Sequence, residues 1–380
     1  MSSLKNFRLF KIFLCIVLIC SSFTGCMHQT NLKNLIVIEG IGIDNTEDGV
    51  QLTVQSLNPG KSTGVDKPEG NMTINTVEKG ATIVEAISNL NKAMSKELFF
   101  GHNKIIVFSR EICENDLNNK LDYFLRSSDA RADVAVCMAD GEAKKVMENT
   151  EDGAHVPVEN MVYLIGNGQK MGTSIYVNTN DLLNLYADKT TDMYLPVLKE
   201  RADQDNVKLN GIAIFSNNKL SYVLDQEETL GFMFMTGKIK NCYLEIQDED
   251  LGSVGIEVIP ESVNKKTEIV DGAIVFKVDV KGHLMISEVE KGMANVLKEK
   301  HLNTVCSKAE EKISYLCSRA FSACQKYASD SIRVGEYLAK DSSESYELLS
   351  DDWDYYFKTV TLSVDSDINL KKISDNTQVE

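Results

Sequence analysis

Residues 104–108 read Lys-Ile-Ile-Val-Phe, and every residue after the lysine is apolar. β-Branched residues favour strands over helices. A strand that is apolar on both faces, without alternation, is typical of the centre of a sheet that helices cover on two sides. This run therefore predicts a buried central strand, and the neighbouring segments are expected to supply the covering helices.

The segments around this strand alternate between helical and extended patterns. Residues 72–77 favour a strand, and an apolar stripe at helical spacing follows it: Ile83, Ala86, Ile87, Leu90 and Met94. Beyond the central strand, Leu117, Leu121 and Phe124 indicate a second amphipathic helix. A strand at 132–138 and a short helix at 141–148 come next. The alternation across residues 72–148 predicts an α/β unit, with helices packed on a small sheet.

The second half of the chain has a different pattern. A polar, charged stretch at 200–207 is the predicted domain boundary. Apolar and polar residues alternate over 274–281, which favours an antiparallel sheet with one solvated face. Residues 287–330 predict one long helix, 345–357 a shorter helix, and 360–364 a last strand. We therefore expect an α+β, multi-domain fold of small mixed sheets packed with helices. Its N-terminal domain would span 26–200, and 201–380 would hold the antiparallel sheet and the long helix.

The charge balance argues against a nucleic-acid partner. The chain of 380 residues has 40 basic and 56 acidic residues, a formal charge of -16. Residues 1–25 contain three basic residues and no acid, so the remainder carries 37 basic and 56 acidic residues, or -19. A body this acidic repels phosphate backbones, so we expect no nucleic-acid partner.

The first 26 residues have the pattern of a lipoprotein signal. Lys5, Arg8 and Lys11 precede an apolar run of nine residues, 12–20. Such a run rises only about 13 Å as a helix, too short to span a bilayer core of roughly 30 Å. The end, Phe-Thr-Gly-Cys at 23–26, resembles a bacterial lipobox, with Phe23 where Leu is usual. We expect residues 1–25 to be removed and Cys26 to be acylated. An ordinary secretory signal with an incidental Cys26 is the alternative.

The other cysteines predict no disulfide framework, because they are widely scattered and form no CxxC pair. Cys306, Cys317 and Cys324 fall on one face of a predicted helix. A three-thiolate metal site is conceivable there, but no histidine or carboxylate completes a ligand set at metal spacing. We interpret them as small core residues and expect no metal or cofactor.

No catalytic signature is present. His102, in Gly-His-Asn-Lys at 101–104, is the most site-like histidine, and we interpret it as hydrogen-bonding the structure. The run Asp-Asp-Trp-Asp-Tyr-Tyr at 351–356 suggests a sugar-stacking patch. However, Trp353 and Tyr356 also suit the packing of a helix against a sheet, which we favour.

Several segments, taken in order, resemble the Ger(x)C family, the lipoprotein C subunits of spore germinant receptors in Bacillus and Clostridium relatives. The segments similar to family motifs are Gly25-Cys26, Ile38 to Asp44 (the "GIGID" segment), Val54 to Gly60, Gly80 to Ala86, Gly101 to Arg126, Asn210 to Phe215, Leu230-Gly231, and Trp353 with Phe357. Two local departures are Met27, where a Trp is common, and 126–129, which is looser than the usual R-D-x-E. Because the resemblance covers nearly the whole chain, it is stronger than any single motif.

The resemblance implies a non-enzymatic, lipid-anchored subunit with an α+β fold. Its partners would be integral-membrane A and B receptor subunits and, through acylated Cys26, the outer face of the spore inner membrane. Such receptors respond to small nutrient germinants and trigger release of core ions and dipicolinate. The residues leave open whether this subunit contacts the germinant. We also hypothesise that the 101–126 block, including Lys104 and Arg126, is a partner-contact surface or a core organiser.

Two other functions are considered. A solute-binding lipoprotein of a transporter would share the anchor, but it should have two similar lobes with parallel sheets around a cleft. An exported cell-wall hydrolase would need a convergent pair of acids or a metal set, and none stands out in the sequence.

Overall fold

The computed structural model describes residues 34–58, 72–126, 131–148, 156–201, 206–292 and 299–373. The chain divides into two compact units, Met1–Leu35 and Ile36–Glu380. Apart from residues 34 and 35, the described ranges belong to the second unit.

The first sheet has nine strands and contains the predicted α/β unit. Its strands are β1 (Leu35–Thr46), β2 (Gly49–Leu57), β3 (Thr73–Gly80), β4 (Glu97–Phe99), β5 (Ile105–Phe108), β6 (Ala135–Ala139), β7 (Tyr194–Arg201), β8 (Asn206–Ser216) and β9 (Lys219–Val223). The order across the sheet is β3-β2-β1-β5-β6-β7-β8-β9, and β4 pairs with β1 off this path. The four central strands β1, β5, β6 and β7 are parallel, and the flanking pairs are antiparallel.

Helices cover both faces of this sheet. They are α1 (Ile83–Ala93), α2 (Arg110–Asn115), α3 (Leu117–Arg126), α4 (Ala143–Glu148), α5 (Pro157–Met171) and α6 (Thr179–Ala187). Along β5, Ile105 and Val107 pack with residues of α4 and α5. Ile106 and Phe108 belong to the cluster that includes residues of α1, α2 and α3. The predicted buried central strand is thus confirmed, since every residue of β5 is buried.

The start of α1 shows how the local sequence sets an element boundary. The Oγ1 of Thr82 accepts a hydrogen bond from the Glu85 N–H at 3.1 Å, and the Glu85 carboxylate accepts one from the Ala81 N–H at 2.8 Å. These bonds satisfy N–H groups that have no partner inside the helix. Gly80 precedes them at a close approach, where a Cβ would lie 2.4 Å from the Ala86 nitrogen.

The second sheet has four strands in the order β10-β11-β12-β13. They are β10 (Cys242–Asp248), β11 (Gly252–Val270), β12 (Ala273–Val289) and β13 (Thr361–Ile373). The helices of this part of the chain are α7 (Gln226–Thr236), α8 (Glu299–Lys326), α9 (Val334–Asp341), α10 (Ser343–Leu349) and α11 (Trp353–Phe357). Helix α8 carries buried apolar residues such as Ile313 and Phe321 and packs on α7 and on this sheet.

The predicted fold class is confirmed, with three differences in detail. The first sheet is larger than the small sheets expected. The second sheet is antiparallel over β10, β11 and β12, whereas β13 pairs parallel to β12. The long helix expected from residue 287 begins, among the described residues, at Glu299. Residues 287–289 instead end β12, because Val289 continues the buried alternation of that strand opposite Val254.

The region predicted as one helix at 345–357 is broken. A 3-10 turn at Ser350–Asp352 separates α10 from α11. Helix α9, which was not predicted, precedes them. The chain turns sharply before it, with Arg333 at φ 71°.

Hydrogen bonding in the first sheet continues across the boundary expected at 200–207. Strand β8 pairs antiparallel with β7, from Tyr194 opposite Ile214 to Arg201 opposite Asn206. One buried apolar cluster contains residues from both sheets, including Ile106 and Phe276. The division into two domains, 26–200 and 201–380, stays a prediction. A boundary at this place would cut through the first sheet and the shared apolar core.

None of the helices in the described ranges combines the length and apolarity needed to cross a lipid bilayer.

Candidate functional site

The segment 101–104 joins β4 to β5 and is tightly folded. The Asn103 N–H donates to the Phe100 carbonyl at 3.0 Å, and the Lys104 N–H donates to the Glu39 carbonyl at 2.9 Å. At Gly101 a Cβ would lie 2.4 Å from the Phe99 ring. These contacts hold His102, Asn103 and Lys104 at the amino end of the central strand.

A buried carboxylate organises this segment. Glu39, on β1, is only 1% exposed. Its Oε1 lies 2.9 Å from His102 Nδ1, and its Oε2 lies 2.8 Å from Lys104 Nζ. Lys104 Nζ also forms an ion pair with Glu159 on α5. The cluster thereby ties together β1, the 101–104 segment and a helix on one face of the sheet.

The two carboxylates of this cluster share Lys104 as a partner. Partial burial acts to lower the pKa of Lys104, but hydrogen bonds to Glu159 and Glu39 outweigh it, so the pKa lies above its ordinary value. His102 is half exposed and bonds the buried carboxylate, as expected for a structural histidine. For Lys104, the contacts favour the core-organiser version of the 101–126 hypothesis. The side chain of Arg126 and residue Cys26 lie outside the described residues.

An apolar cavity lies on the other side of the 101–104 segment. It has a volume of about 40 Å³ and is bounded by α1, α3 and the first sheet. Its lining residues with polar groups are Asn103, Tyr123 and Arg131. Asn103 also lines a charged depression that holds His102, Lys104 and Glu159, so one short segment separates the two spaces.

A second charged group lies at the carboxyl ends of β1, β5 and β6. Asp140 accepts hydrogen bonds from Arg110 at 2.7 Å, Lys199 at 2.8 Å and Asn210 at 3.2 Å. Burial acts to raise the pKa of Asp140, but the bonds to Lys199 and Arg110 dominate and lower it. Asp44 accepts the N–H groups of Ala143 and Lys144 at 2.7 and 2.9 Å, at the start of α4. Each of these groups is paired within the fold, which is typical of a structural network.

The three cysteines of the predicted metal alternative lie on α8. Cys317 and Cys324 are fully buried, and Cys306 is partly buried against the same core. Burial raises the pKa of Cys317 to about 12, so the thiol stays protonated. No cluster of three potential metal ligands occurs within the described ranges. The cysteines are core residues, as interpreted from the sequence.

Trp353 packs in the interior rather than forming a sugar-stacking surface. It is 8% exposed, and its ring centroid lies 6.2 Å from that of Phe357. Its Nε1 donates to Asp330 Oδ2 at 3.0 Å. Asp330 also accepts the N–H groups of Val334 and Gly335 at the start of α9. Tyr356 is partly buried and packs against the core.

Burial of Asp330 and its neighbour Asp192 changes their protonation. Burial raises the pKa of Asp330 to about 8, although three hydrogen bonds oppose the shift. It raises the pKa of Asp192 to about 6. Asp192 accepts the Asp330 N–H at 2.8 Å. These carboxyls join the β7 side of the first sheet to the loop before α9.

Sequence reasoning missed Glu39, Glu159, Asn103 and Arg131. A signal for Glu39 was present, since an acidic residue in a β-branched run predicts a buried charge that needs a cation. Glu159 and Arg131 gave no such signal, because their partners lie far away in sequence or on an irregular turn.

Comparisons with known proteins place this geometry in context. The family model described as "Spore germination protein N-terminal domain" matches residues 28–200. A second, "Spore germination B3/ GerAC like, C-terminal", matches residues 210–374. The two matches follow each other in order and together cover most of the chain.

Individual relatives are similar over nearly their full length. Spore germination protein B3 of Bacillus subtilis (strain 168) is 22% identical, with 93% of this chain and 94% of B3 covered. Spore germination protein KC of the same organism is 21% identical, with 92% of each chain covered. The crystal structure of the GerBC protein superimposes with a TM-score of 0.59 at 18% identity, covering 88% of this chain and 97% of that one. This last likeness shows a shared fold.

Proposed function

Because this chain belongs to the Ger(x)C family of spore germination proteins, we propose that it acts in germination as the lipid-anchored C subunit of a nutrient germinant receptor. In this role it assembles with and supports the integral-membrane A and B subunits. Its body lies on the outer face of the spore inner membrane.

The observation that carries the proposal is the match of both family domains, in order, over residues 28–200 and 210–374. Relatives named as spore germination proteins align over more than nine-tenths of their length. A function that depends on the whole chain, such as assembly of a complex, is better supported by this coverage than by a local motif.

The anchor is proposed from the sequence. The basic residues, the apolar run of nine residues and the lipobox-like ending support removal of 1–25 and acylation of Cys26. Two acyl chains bind a membrane stably, whereas a single chain binds only marginally. This tether would hold the acidic body at an anionic membrane that would otherwise repel it.

A non-enzymatic role is supported by the way the charged groups are used. The Glu39 cluster and the Asp140 network consist of ion pairs and hydrogen bonds between parts of the fold. These bonds fix the positions of strands and helices, which is a structural use of the charged groups.

The proposal is tested by recovering the complex from spores. The native chain, with its signal and a C-terminal tag, is expressed in a sporulating host and captured from detergent-solubilised spore membranes. Mass spectrometry of co-purifying proteins should identify a multi-span A subunit and a permease-like B subunit. A Cys26→Ala chain, which cannot be acylated, should be depleted from the membranes and recover much less of both.

The alternative function, a solute-binding lipoprotein, makes a different prediction in the same experiment. If the chain is such a lipoprotein, the membrane subunits of an ATP-driven transporter should co-purify with it. That result, or recovery of the tagged chain alone from membranes that contain the A and B subunits, would contradict the receptor proposal. The alternative also expects two similar lobes, whereas strands from both halves of this chain share the first sheet.

A further inference from the structure

A lysine lies on the core-facing side of β11. Lys265 is paired opposite Val278 of β12, and residues opposite each other in neighbouring strands point to the same face of a sheet. Val278 is fully buried, and Thr267, two residues further along β11, is 6% exposed. Lysine is rare at such positions, because removing its charge from water is costly. The state of this amino group therefore depends on what surrounds it.

The amino group of Lys265 has only weak partners. Its Nζ donates to the carbonyl of Thr236, the last residue of α7, at 3.3 Å. It also lies 5.3 Å from the ring centroid of Tyr337 on α9. An ammonium group has three donors, so these contacts replace only part of its hydration. No carboxylate in the described part of the chain forms an ion pair with it.

The charged groups around Lys265 are mostly positive. Burial has the largest effect on its pKa and lowers it, and Arg333, before α9, and Lys238, after α7, lower it further. Glu336 acts in the opposite direction, but it forms an ion pair with Arg333. The pKa of Lys265 falls from 10.5 to about 8. At pH 8 roughly half of the amine is then uncharged, about a hundredfold more than for an ordinary lysine.

An uncharged lysine amine is a nucleophile, and Lys265 is exposed enough for a small reagent to reach it. Its surroundings decide which product is stable. An aldehyde or ketone would give a Schiff base, whose protonated form places a positive charge near Arg333 and Lys238. Carbon dioxide would give a carbamate, whose negative charge the same two cations attract. Carbon dioxide also reacts without activation or a leaving group, so the surroundings favour it as the reagent.

We propose that Lys265 is a site of reversible carbamate formation with carbon dioxide. The nitrogen lone pair forms a bond to the carbon, one carbon–oxygen π bond breaks, and its electron pair stays on the oxygen. A proton leaves the nitrogen for the solvent, so the product has one negative charge. This charge attracts Arg333 and Lys238 and so links the end of α7, strand β11 and the start of α9. The proposal does not depend on the receptor role.

The test uses the full chain in detergent micelles at pH 8. ¹³C-labelled bicarbonate is added, and NMR detects a carbamate resonance separate from those of bicarbonate and dissolved carbon dioxide. We expect a saturable resonance that is lost in Lys265→Met, which keeps an apolar stem without the amine. Lys277→Arg is the matched control, because Lys277, on the same sheet, is ion-paired with Glu268 and should form no carbamate. The α-amino group, with an ordinary pKa of about 8, should give a second resonance in every variant.

A chemical probe examines the same amine in the unaltered chain. Trace labelling with isotopic acetic anhydride, read by peptide mass spectrometry, reports how much of each lysine is uncharged. Lys265 should label much faster than Lys277 at pH 8. Bicarbonate, added at constant pH and ionic strength, should reduce the labelling of Lys265 and not that of Lys277.

A third variant tests the role of the neighbouring cations. Arg333 has a φ of 71°, a backbone conformation that asparagine tolerates. Arg333→Asn should weaken carbamate formation, because less of the Lys265 amine is uncharged and the carbamate loses a cation.

Three results would overturn the proposal. They are a Lys265→Met chain that keeps every carbamate resonance of the unaltered chain, labelling of Lys265 that bicarbonate leaves unchanged, and labelling of Lys265 no faster than that of Lys277. The last two are measured in the unaltered chain, so the proposal remains testable even if a variant does not fold.

Discussion

Glu39 carries a carboxylate that is 1% exposed, and its two oxygens meet Lys104 and His102. Removing one partner of a buried ion pair leaves an uncompensated charge, which is more costly than the pair itself is favourable. The contributions of Glu39 and Lys104 to stability therefore depend on each other, and those of the other residues in the cluster are smaller.

We predict that Lys104→Met lowers the free energy of unfolding by about 2–3 kcal/mol, because it leaves Glu39 buried without its main cation. Glu159→Gln removes the other, 38% exposed carboxylate and should cost less than about 1 kcal/mol. Chemical denaturation followed by circular dichroism measures both. Equal small losses would show that Glu39 does not need Lys104.

Asp192 gives a pH-dependent prediction at the same scale. Burial raises its pKa from 3.8 to about 6 in the folded chain. Between these values the folded state holds a proton that the unfolded state has released. Stability must therefore fall as the pH rises through this window.

Replacing Asp192 by Asn removes this titration while keeping an oxygen for the Asp330 N–H. We expect the unfolding free energy of the unaltered chain, relative to Asp192→Asn, to fall by roughly 2–3 kcal/mol from pH 4 to pH 6. Denaturation curves at intervals of half a pH unit test this. A difference that does not vary with pH would contradict it, and subtracting the variant cancels the titrating groups that the Asp192 charge does not affect.

At the scale of elements, α7 and α8 approach each other at Gly231. A Cβ there would lie 2.0 Å from the Leu316 carbonyl oxygen, and Cys317 Sγ lies 3.8 Å from the Gly231 carbonyl. Both helices are part of the core, with Phe232 and Leu316 buried. The glycine is needed because the two backbones are almost in contact.

We predict that Gly231→Ala destabilises the fold by about 2–3 kcal/mol, since the helices must separate to admit a methyl group. Gly166, inside α5, is the matched control, because nothing lies within 4 Å of its Cβ position. Gly166→Ala should stabilise the chain by up to about 1 kcal/mol through helix propensity. Thermal unfolding of both variants tests the pair. A stable Gly231→Ala chain would exclude the close contact.

Local patterns predicted the elements better than their pairing. Strand β5 and helix α1 follow from an apolar run and an apolar stripe that each lie within one short segment. The expected helix start at 287 was wrong. Strand β12 is followed by helix α8 in a region without proline, so no residue there signalled the end of the strand. The parallel pairing of β13 with β12 could not be predicted, since its register depends on a partner more than 80 residues earlier.

The candidate site was predictable only in part for the same reason. His102 was recognised as a structural histidine, but its partner Glu39 lies 63 residues away. The unpaired Asn103 oxygen and the cavity beside it result from the packing of α1 and α3 on the sheet. The spacing of residues in the sequence does not predict which buried polar atoms lack a hydrogen-bond partner.

At the scale of the whole molecule, one sheet and one apolar cluster join the halves matched by the two family domains. We predict that the chain unfolds in a single cooperative transition. Fluorescence of Trp353, the one tryptophan in the sequence, reports on the second half, and far-ultraviolet circular dichroism reports on both. The two signals should give the same denaturation midpoint.

Separate midpoints for these two signals would instead show that the predicted domains unfold independently. In that case the pairing of β7 with β8 would have to open before the core around α8. A calorimetric scan with one or two peaks provides a second test of the same prediction.

The strand that completes the second sheet is also the last element of the described ranges. β13 begins at Thr361, and its Ile368 is 2% exposed and held by the Glu310 carboxylate at 3.0 Å. A stop codon at position 361 would remove β13 and leave the longer strand β12 as the edge of the sheet, where its unpaired backbone groups favour aggregation. A stop codon at 374 would spare the strand. Nonsense alleles of this gene that remove β13 should therefore be null.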